Sequence, residues 1–426
     1  MTSPIDVVGT VTLTPAQAHQ VWNWTLSRQG LHPDLRLTSV TQVADAALGL
    51  HAARLPSPYA TVLARTRTPD IALDLLRPRT GQPPLITLRC MRKTLHTLPP
   101  HLAGPAHTAT VHYRLRDAER LALTSGIPVP VLDAATRAVL AVLADGPLHH
   151  RAIETALTGT HGARPRPTGP PLSVTAVRVA LKLAWERGTL TYLNRSGCWN
   201  TERRTFALTA SAHPTLGLAD VSDPAGVPGA ADVDARRAAT RALVVAYFDR
   251  YGPATVQDVM WWAALSRTAV TTAMNHPTLA WVEVHTPWAT APAYLPAHRW
   301  EAFTTTDPAT HTTGLNLLAH EDVALKAYAQ TRARYLHSLH PRQAFNQIGE
   351  ALPTILVNGH VHGTWAWDTR TRSVTPHLAR GRTTRALTAA VTALTDALHA
   401  GWRDPTRTPR LPDPTHPDQA PLTPVH

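Results

Sequence analysis

The feature of this sequence that most constrains its fold is an order of predicted elements that recurs three times. In each cycle, helices with apolar residues at helical spacing end at glycine or proline and lead into short strands of alternating polarity. The predicted strands lie at residues 85–98 in the first cycle, at 189–193 and 204–208 in the second, and at 281–284 and 291–295 in the third. The cycles are irregularly spaced, which argues against a solenoid. We therefore predict an α+β chain with three tandem winged-helix modules.

The last third of the chain has a different pattern. The alternating run at residues 353–367 carries the tight-turn pair Asn358-Gly359, which predicts a β-hairpin. Helices are predicted over residues 321–339 and 382–402, and the Pro-rich end is predicted to be disordered. The predicted domains are a first winged helix at residues 1–125, a second at 126–215, a third at 216–310, a C-terminal β-rich domain with a closing helix at 311–402, and a disordered tail at 403–426.

The charge balance favours a polyanionic partner. The chain has 41 Lys+Arg against 29 Asp+Glu, a net charge of +12, and the excess is almost entirely arginine. The planar guanidinium of arginine suits phosphate, so nucleic acid is the first partner to consider. GC-rich coding also enriches arginine, alanine and proline, and it offers a second explanation of the same composition.

Cysteine usage and hydropathy exclude several other classes. The two cysteines, Cys90 and Cys198, lie far apart and form no metal-ligand pattern, so we predict no metal and no cofactor. No apolar run reaches the length of a membrane span, and residues 1–6 lack the basic and apolar regions of a signal peptide. These observations predict a cytoplasmic protein without membrane contacts.

One corner of the first cycle concentrates polar side chains at the end of an apolar helix. The helix predicted over residues 37–50 is alanine-rich, and the turn after it carries His51 and Arg54. Pro56 and Pro58 then stop the chain before the next predicted helix. We expect the rest of the chain to hold nucleic acid against this corner.

Four stretches, taken in order, resemble a known family. They are residues 48–53, residues 91–96, residues 251–255 with Asp258 and Trp262, and residues 353–365. The ordered set resembles the winged-helix DNA glycosylase family typified by AlkZ and YcaQ. The resemblance implies three winged helices arranged as a C around a basic concave surface, followed by a small β-barrel. It also implies excision of alkylated purines, including bulky adducts and crosslinks, often to protect a producer from its own genotoxic metabolite.

The chain departs from this family at the catalytic triplet. The family carries Gln-apolar-Gln or Gln-apolar-Asp, whereas the matching positions here are His51-Ala52-Ala53. A neutral histidine can accept a hydrogen bond from water and can act as a base near pH 7, so His51 is the first catalytic candidate. Ala53 cannot replace the second polar residue, and Arg54, Tyr59 and His96 are candidates for that role. We rank His96 first, because the resemblance places the matching histidine on the first winged helix.

Several side chains are candidates for DNA contact. Adjacent cations on a predicted hairpin, cations at helical spacing in the second module, a wing-like turn and the C-terminal hairpin all suit this role. The DNA-binding candidates are Arg54, Tyr59, Arg92, Lys93, Arg178, Lys182, Arg195, Trp199, His360 and His362. For each of them a solvated surface or a structural role is the alternative interpretation.

Three hypotheses follow for function. The first is a monomeric, monofunctional DNA glycosylase that hydrolyses the N-glycosidic bond of alkylpurines in double-stranded DNA near the nucleoid. No lysine lies in the stretch around His51, so lyase chemistry has no evident nucleophile there. The second is a non-catalytic DNA-binding protein, which Ala53 favours. The third is a protein-interaction module whose basic composition reflects GC-rich coding.

Overall fold

The computed structural model describes residues 5–79, 85–159, 172–216, 230–307 and 313–403. The chain divides into two compact units. The first unit comprises Met1–Leu85, Arg89–Thr110 and Pro228–Gly401, and the second comprises Ile86–Leu88, Val111–Val227 and Trp402–His426. Residues 404–426, most of the predicted disordered tail, lie outside the described ranges.

Helices and strands both contribute to the fold, and the predicted α+β class is confirmed. The strands are β1 (Val7–Thr12), β2 (Leu50–His51), β3 (Ile86–Arg89), β4 (Leu95–Leu98), β5 (Leu148–His149), β6 (Leu190–Asn194), β7 (Arg204–Leu208), β8 (Trp281–His285), β9 (Ala293–Pro296), β10 (Leu315–Leu318), β11 (Thr354–Val357), β12 (His360–Asp368) and β13 (Ser373–Leu378). The helices are α1 (Pro15–Leu26), α2 (Val40–Ala46), α3 (Ser57–Leu63), α4 (Pro69–Leu76), α5 (Pro100–Thr124), α6 (Val129–Val142), α7 (His150–Thr158), α8 (Val174–Arg187), α9 (Thr209–Ala212), α10 (Ala230–Tyr251), α11 (Val256–Ala263), α12 (Arg267–Met274), α13 (Ala297–Thr305), α14 (Val323–Lys326), α15 (Ala333–Leu336) and α16 (Arg385–Ala400). Of the described helices, none is long and apolar enough to cross a membrane.

The first unit contains a sheet of order β1-β8-β9, in which β1 runs parallel to β8 and β9 runs antiparallel to it. Helix α1 covers this sheet, and Val21 and Trp24 pack in one buried cluster with Val284 and Leu295. Thr14 caps α1 and Pro15 occupies its first turn, because both residues suit a helix N-terminus. Strand β1 was not predicted, because its partner β8 lies far away in the sequence.

A four-stranded antiparallel sheet of order β10-β11-β12-β13 lies near the C-terminal end of the first unit. The predicted hairpin is confirmed: Asn358 and Gly359 have φ of 46° and 79° and form the turn between β11 and β12. Gly359 of this turn is buried against α1, and Trp22 Nε1 donates to its carbonyl at 2.7 Å. A Cβ at position 359 would lie 2.8 Å from Trp22 Nε1, so glycine is required there.

The second unit combines the antiparallel sheet β5-β7-β6 with helices α6, α7 and α8. Its core includes Val139, Ile153, Val177 and Phe206. Helix α8 begins after its N-cap Ser173 and ends at its C-cap Gly188, which has a φ of 82°.

Two predicted helices are wrong in extent. The helix expected over residues 37–50 is only α2, and its last predicted residues form a turn and strand β2. The helix expected over residues 321–339 is reduced to the single turns α14 and α15. Between them, Asp258 Oδ1 accepts hydrogen bonds from the backbone N–H groups of Ala329, Gln330 and Thr331, at 2.8, 2.8 and 3.3 Å. Those donors are therefore directed at a carboxylate rather than along a helix axis. The 25-residue helix α5 was not predicted.

Candidate active site around His51

The backbone between α2 and β2 brings His51 into a strand instead of a helix end. Leu48 and Gly49 have φ of 46° and 100°, which reverses the chain after α2. A Cβ at position 49 would lie 2.4 Å from Leu98 Cδ2, so only glycine allows this close approach to β4. The expectation that His51 lies in the turn after a helix is therefore wrong. Its place in β2 determines which residue of β4 lies opposite it.

That neighbour is His96, the residue that we ranked first as its partner. His51 and His96 are directly opposite each other in the antiparallel pair β2–β4, and their ring centroids are 5.7 Å apart in an edge-on arrangement. Both side chains are buried, at 4% and 2% exposure. His51 Nδ1 is buried and has no hydrogen-bond partner among the residues that the structure describes. The strand pairing thus leaves one imidazole nitrogen available.

Lys326 of α14 lies next to His96. Its Nζ lies 3.4 Å from His96 Nε2. An ammonium has only donors, so Nε2 accepts and the ring proton belongs on Nδ1. This tautomer agrees with the position of Nδ1, which lies 3.2 Å from the carbonyl oxygen of Thr94 and 3.5 Å from Cys90 Sγ. Because both nitrogens of His96 have partners, His96 has no acceptor left for a water molecule.

A carboxylate and a second cation lie next to Lys326. Glu321 Oε2 is 3.7 Å from Lys326 Nζ and 3.7 Å from Arg92 Nη1. The guanidinium of Arg92 also lies over the ring of Trp261, 3.9 Å from its centroid. We call the five side chains His51, His96, Lys326, Glu321 and Arg92 the His51 cluster.

A buried ion pair fixes α14 and therefore Lys326. Arg65, just after α3, donates to both carboxylate oxygens of Asp322 at 2.8 and 2.7 Å, and both side chains are fully buried. Asp322 also caps α14 by accepting from the N–H of Ala324 at 2.9 Å. One carboxylate thus connects the end of α3 to the turn that carries Lys326.

The electrostatics keep both histidines neutral. Burial lowers the pKa of His51 far below its usual value, and Lys326, His96, His320 and Arg92 lower it further. Burial and Lys326 likewise lower the pKa of His96. A histidine with so low a pKa is a weak proton acceptor at pH 7. Desolvation therefore works against a role for His51 as a base near pH 7, whereas orienting a water through Nδ1 agrees with the geometry.

The other predicted residues of this corner have different environments. Arg54 is exposed and forms an ion pair with Glu350, with Nη2 3.2 Å from Oε2. Tyr59 is fully buried and its hydroxyl donates to the carbonyl of Ala397 in α16 at 2.9 Å. Tyr59 therefore stabilises the fold and offers no surface for DNA. Ala53 is exposed, and Lys93 is exposed at a positive φ of 59°.

Three further DNA-binding candidates are less accessible than predicted. Trp199 is only 4% exposed and packs edge-on against Trp402, with ring centroids 5.0 Å apart, so its expected place at an exposed wing tip is wrong. His360 is half-buried, and its ring stacks on His19 at 4.9 Å with Nε2 3.2 Å from His19 Nδ1. His362 is also partly buried, and burial lowers its pKa.

In the second unit, α7, α8 and β7 line an open cavity of about 470 Å³, which we call the α8 cavity. Two of the predicted DNA-binding cations lie here, and each is paired with a carboxylate. Arg178 donates to both oxygens of Glu154, at 2.7 and 3.2 Å, and Lys182 pairs with Glu186. Arg195 is exposed, and no ion pair joins its side chain to another described residue.

Lys326, Glu321 and the pair Arg65–Asp322 were not predicted from the sequence. One feature of the sequence does indicate that Lys326 is buried. The chain has only three lysines, and this one lies in the apolar run Val323-Ala324-Leu325-Lys326-Ala327-Tyr328, which is typical of a buried segment. Within the described ranges, no three His, Cys, Asp or Glu side chains converge as ligands for a metal ion.

Comparisons with known proteins define the class. The family described as "DNA glycosylase AlkZ-like" matches residues 44–400. The chain therefore belongs to the AlkZ-like DNA glycosylase family, an enzyme class that acts on DNA, and the predicted resemblance is confirmed. Among solved structures, the DNA glycosylase AlkZ of Streptomyces sahachiroi is similar, with 22% identity, a TM-score of 0.65, and 90% of this chain and 96% of that chain covered. This likeness shows the shared fold. No curated protein matches the chain.

Proposed function

We propose that this protein excises bulky or crosslinked N-alkylpurines from double-stranded DNA by hydrolysing the N-glycosidic bond. His51 occupies the position of the first glutamine of the family triplet, and its Nδ1 orients the attacking water. The observation that carries the proposal is this nitrogen, which is buried opposite His96 without a partner among the described residues. A buried polar atom without a hydrogen bond is costly, so a water or substrate group is its expected partner.

The proposed function also includes DNA binding by the scaffold and a protective role for the host. The helix and strand cycles act as three winged helices arranged as a C and followed by a β-barrel, and this scaffold places a lesion at His51. The net charge of +12 and the exposed side chains of Arg54, Lys93 and Arg195 support phosphate contacts. The enzyme acts as a monofunctional monomer at the nucleoid and protects its host from a genotoxic metabolite.

The test is excision from defined lesions. DNA duplexes carrying N7-methylguanine or a bulky intercalator adduct are incubated with the protein, and released base and abasic sites are measured. His51→Ala is expected to slow single-turnover excision about a hundredfold, because the water loses its orienting contact. The matched control is His101→Ala, which removes an exposed histidine paired with Asp45 at 3.0 Å and leaves the rate unchanged. Undiminished excision by His51→Ala sinks the assigned role.

A second candidate function is a non-catalytic lesion binder. Two observations favour it: His51 is only 4% exposed, and the exposed Ala53 offers no second polar contact to a water. Tight binding of lesion-bearing DNA without release of base would support this candidate over excision.

A further inference from the structure

The His51 cluster holds more positive than negative charge in a buried place. Lys326 and Arg92 share the single carboxylate of Glu321, and the other oxygen of that carboxylate accepts the N–H of Ala351 at 2.7 Å. The side chain of Lys326 is 1% exposed and that of Glu321 is 4% exposed, so water screens this charge poorly. Two cations against one carboxylate leave a net charge of +1 beside two neutral imidazoles.

The ammonium of Lys326 is surrounded by groups from four parts of the chain. The titratable and charged groups that face it are His320 and Glu321 before α14, Arg92 and Cys90 around the turn after β3, His96 on β4 and His51 on β2. Only Glu321 and Cys90 raise the pKa of the lysine in this set, and Arg92 lowers it. The arrangement therefore holds the proton of Lys326 weakly.

A surplus cation at this place opposes the proposed reaction. The C1′–N9 bond breaks, the bonding electron pair leaves with the alkylated purine, and the positive charge of the base moves to the sugar. Water then adds to C1′ and releases its proton to solvent. If His51 orients that water, positive charge develops towards Lys326 in the transition state, and the repulsion is larger there than in the ground state.

We infer that Lys326 is a positioning residue whose proton controls excision: the ammonium holds His96 in one tautomer and slows the reaction, and the neutral amine permits it. The inference rests on the proposed function. Burial, the largest cause, lowers the pKa of Lys326 to about 8. The ammonium therefore predominates below pH 8 and is lost as pH rises through 8. A unit charge several ångströms from the developing charge, at an effective dielectric constant of about 20, changes a rate by roughly tenfold or more.

The experiment is a pH profile of single-turnover excision of N7-methylguanine from duplex DNA, with the enzyme-free rate subtracted, from pH 6.5 to 9. The wild type is expected to accelerate about tenfold across this range. Lys326→Met, which lacks the charge, is expected to be fast at pH 7 without a further rise. Lys326→Arg, which keeps the charge, is expected to stay slow throughout. His101→Ala, which removes an exposed histidine outside the His51 cluster, is the control and keeps the wild-type rise.

Two outcomes overturn the inference: a wild-type rise that persists in Lys326→Met, or a folded Lys326→Met that is as slow as Lys326→Arg at every pH. Thermal unfolding of each variant establishes that it is folded. Because the chain has only three lysines, ¹⁵N-lysine NMR also follows the proton of Lys326 directly, and a Lys326 signal that does not titrate near pH 8 overturns the inference in the same way. Absence of excision by every variant including the wild type contradicts the proposed function itself, which distinguishes the two failures.

Discussion

The His51 cluster of the first unit and the α8 cavity of the second contain similar ionisable side chains but differ in how deeply their cations are buried. At the α8 cavity Arg178 pairs with Glu154 and Arg204 pairs with Glu202, and the partly exposed Lys182 shares Glu186 with Arg114. In the His51 cluster two cations share Glu321. The side chain of Arg178 is 65% exposed and that of Lys326 is 1% exposed. Exposed charges cost little in any arrangement, whereas a buried surplus is expensive and typical of a site with chemistry.

The largest expected effect tests the burial on which this comparison depends. Asp322→Ala leaves Arg65 as an unpaired buried cation and is expected to lower the free energy of unfolding by about 3–5 kcal/mol. The measurement is urea unfolding followed by circular dichroism. The matched control is Glu154→Gln, which breaks the exposed pair with Arg178 and is expected to cost less than about 1 kcal/mol. Equal losses in the two variants would contradict the contrast between the two regions.

The pH dependence of the control pair has a definite sign. The hydrogen bond from Arg178 lowers the pKa of Glu154. The contribution of this pair is therefore complete above the ordinary carboxyl pKa and is lost as pH falls through the lowered value. Glu154→Gln should consequently show its small stability difference at neutral pH and lose it in acid.

A further prediction concerns the chemistry beside His51. Ala53→Gln supplies the second polar residue that the family triplet has, on an exposed position that accommodates it. If His51 holds the water by a single contact, the added amide is expected to raise single-turnover excision about tenfold, as one further hydrogen bond in the transition state would. Ala52→Gln, one position away in the chain, is the control. An unaltered rate in Ala53→Gln would mean that the water lies elsewhere.

The smallest expected effect concerns DNA affinity and the paired cations. Arg195→Ala removes an exposed cation, and the dependence of log Kd on log salt is expected to become shallower by about 1. The double variant Glu154→Ala/Arg178→Ala removes a neutral pair and is expected to leave that slope unchanged. Fluorescence anisotropy of labelled duplex DNA at several salt concentrations measures both. A slope change as large in the double variant as in Arg195→Ala would show that Arg178 leaves its carboxylate to bind phosphate.

Much of the fold was predictable where local chemistry decides it. The Asn358-Gly359 turn forms as predicted, because it depends on residues within a few positions, and the N-caps Ser173 and Thr255 and the Thr255–Asp258 capping box are local in the same way. Elements that depend on distant partners were missed. Strand β1 forms by pairing with β8. The helix expected at 321–339 is interrupted by the carboxylate of Asp258 in α11.

By itself the sequence determined the class of fold and the family, because ordered motifs and apolar periodicity are local properties. Only the tertiary structure decided the chemistry available around His51. The register of β2 against β4 placed His96 opposite His51, and the pair Arg65–Asp322 brought Lys326 to His96. Burial then acts on protonation: it lowers the pKa of both histidines and of Lys326, because it disfavours the charged form of each. Desolvation depends on what surrounds a side chain in space, which no local pattern in the chain records.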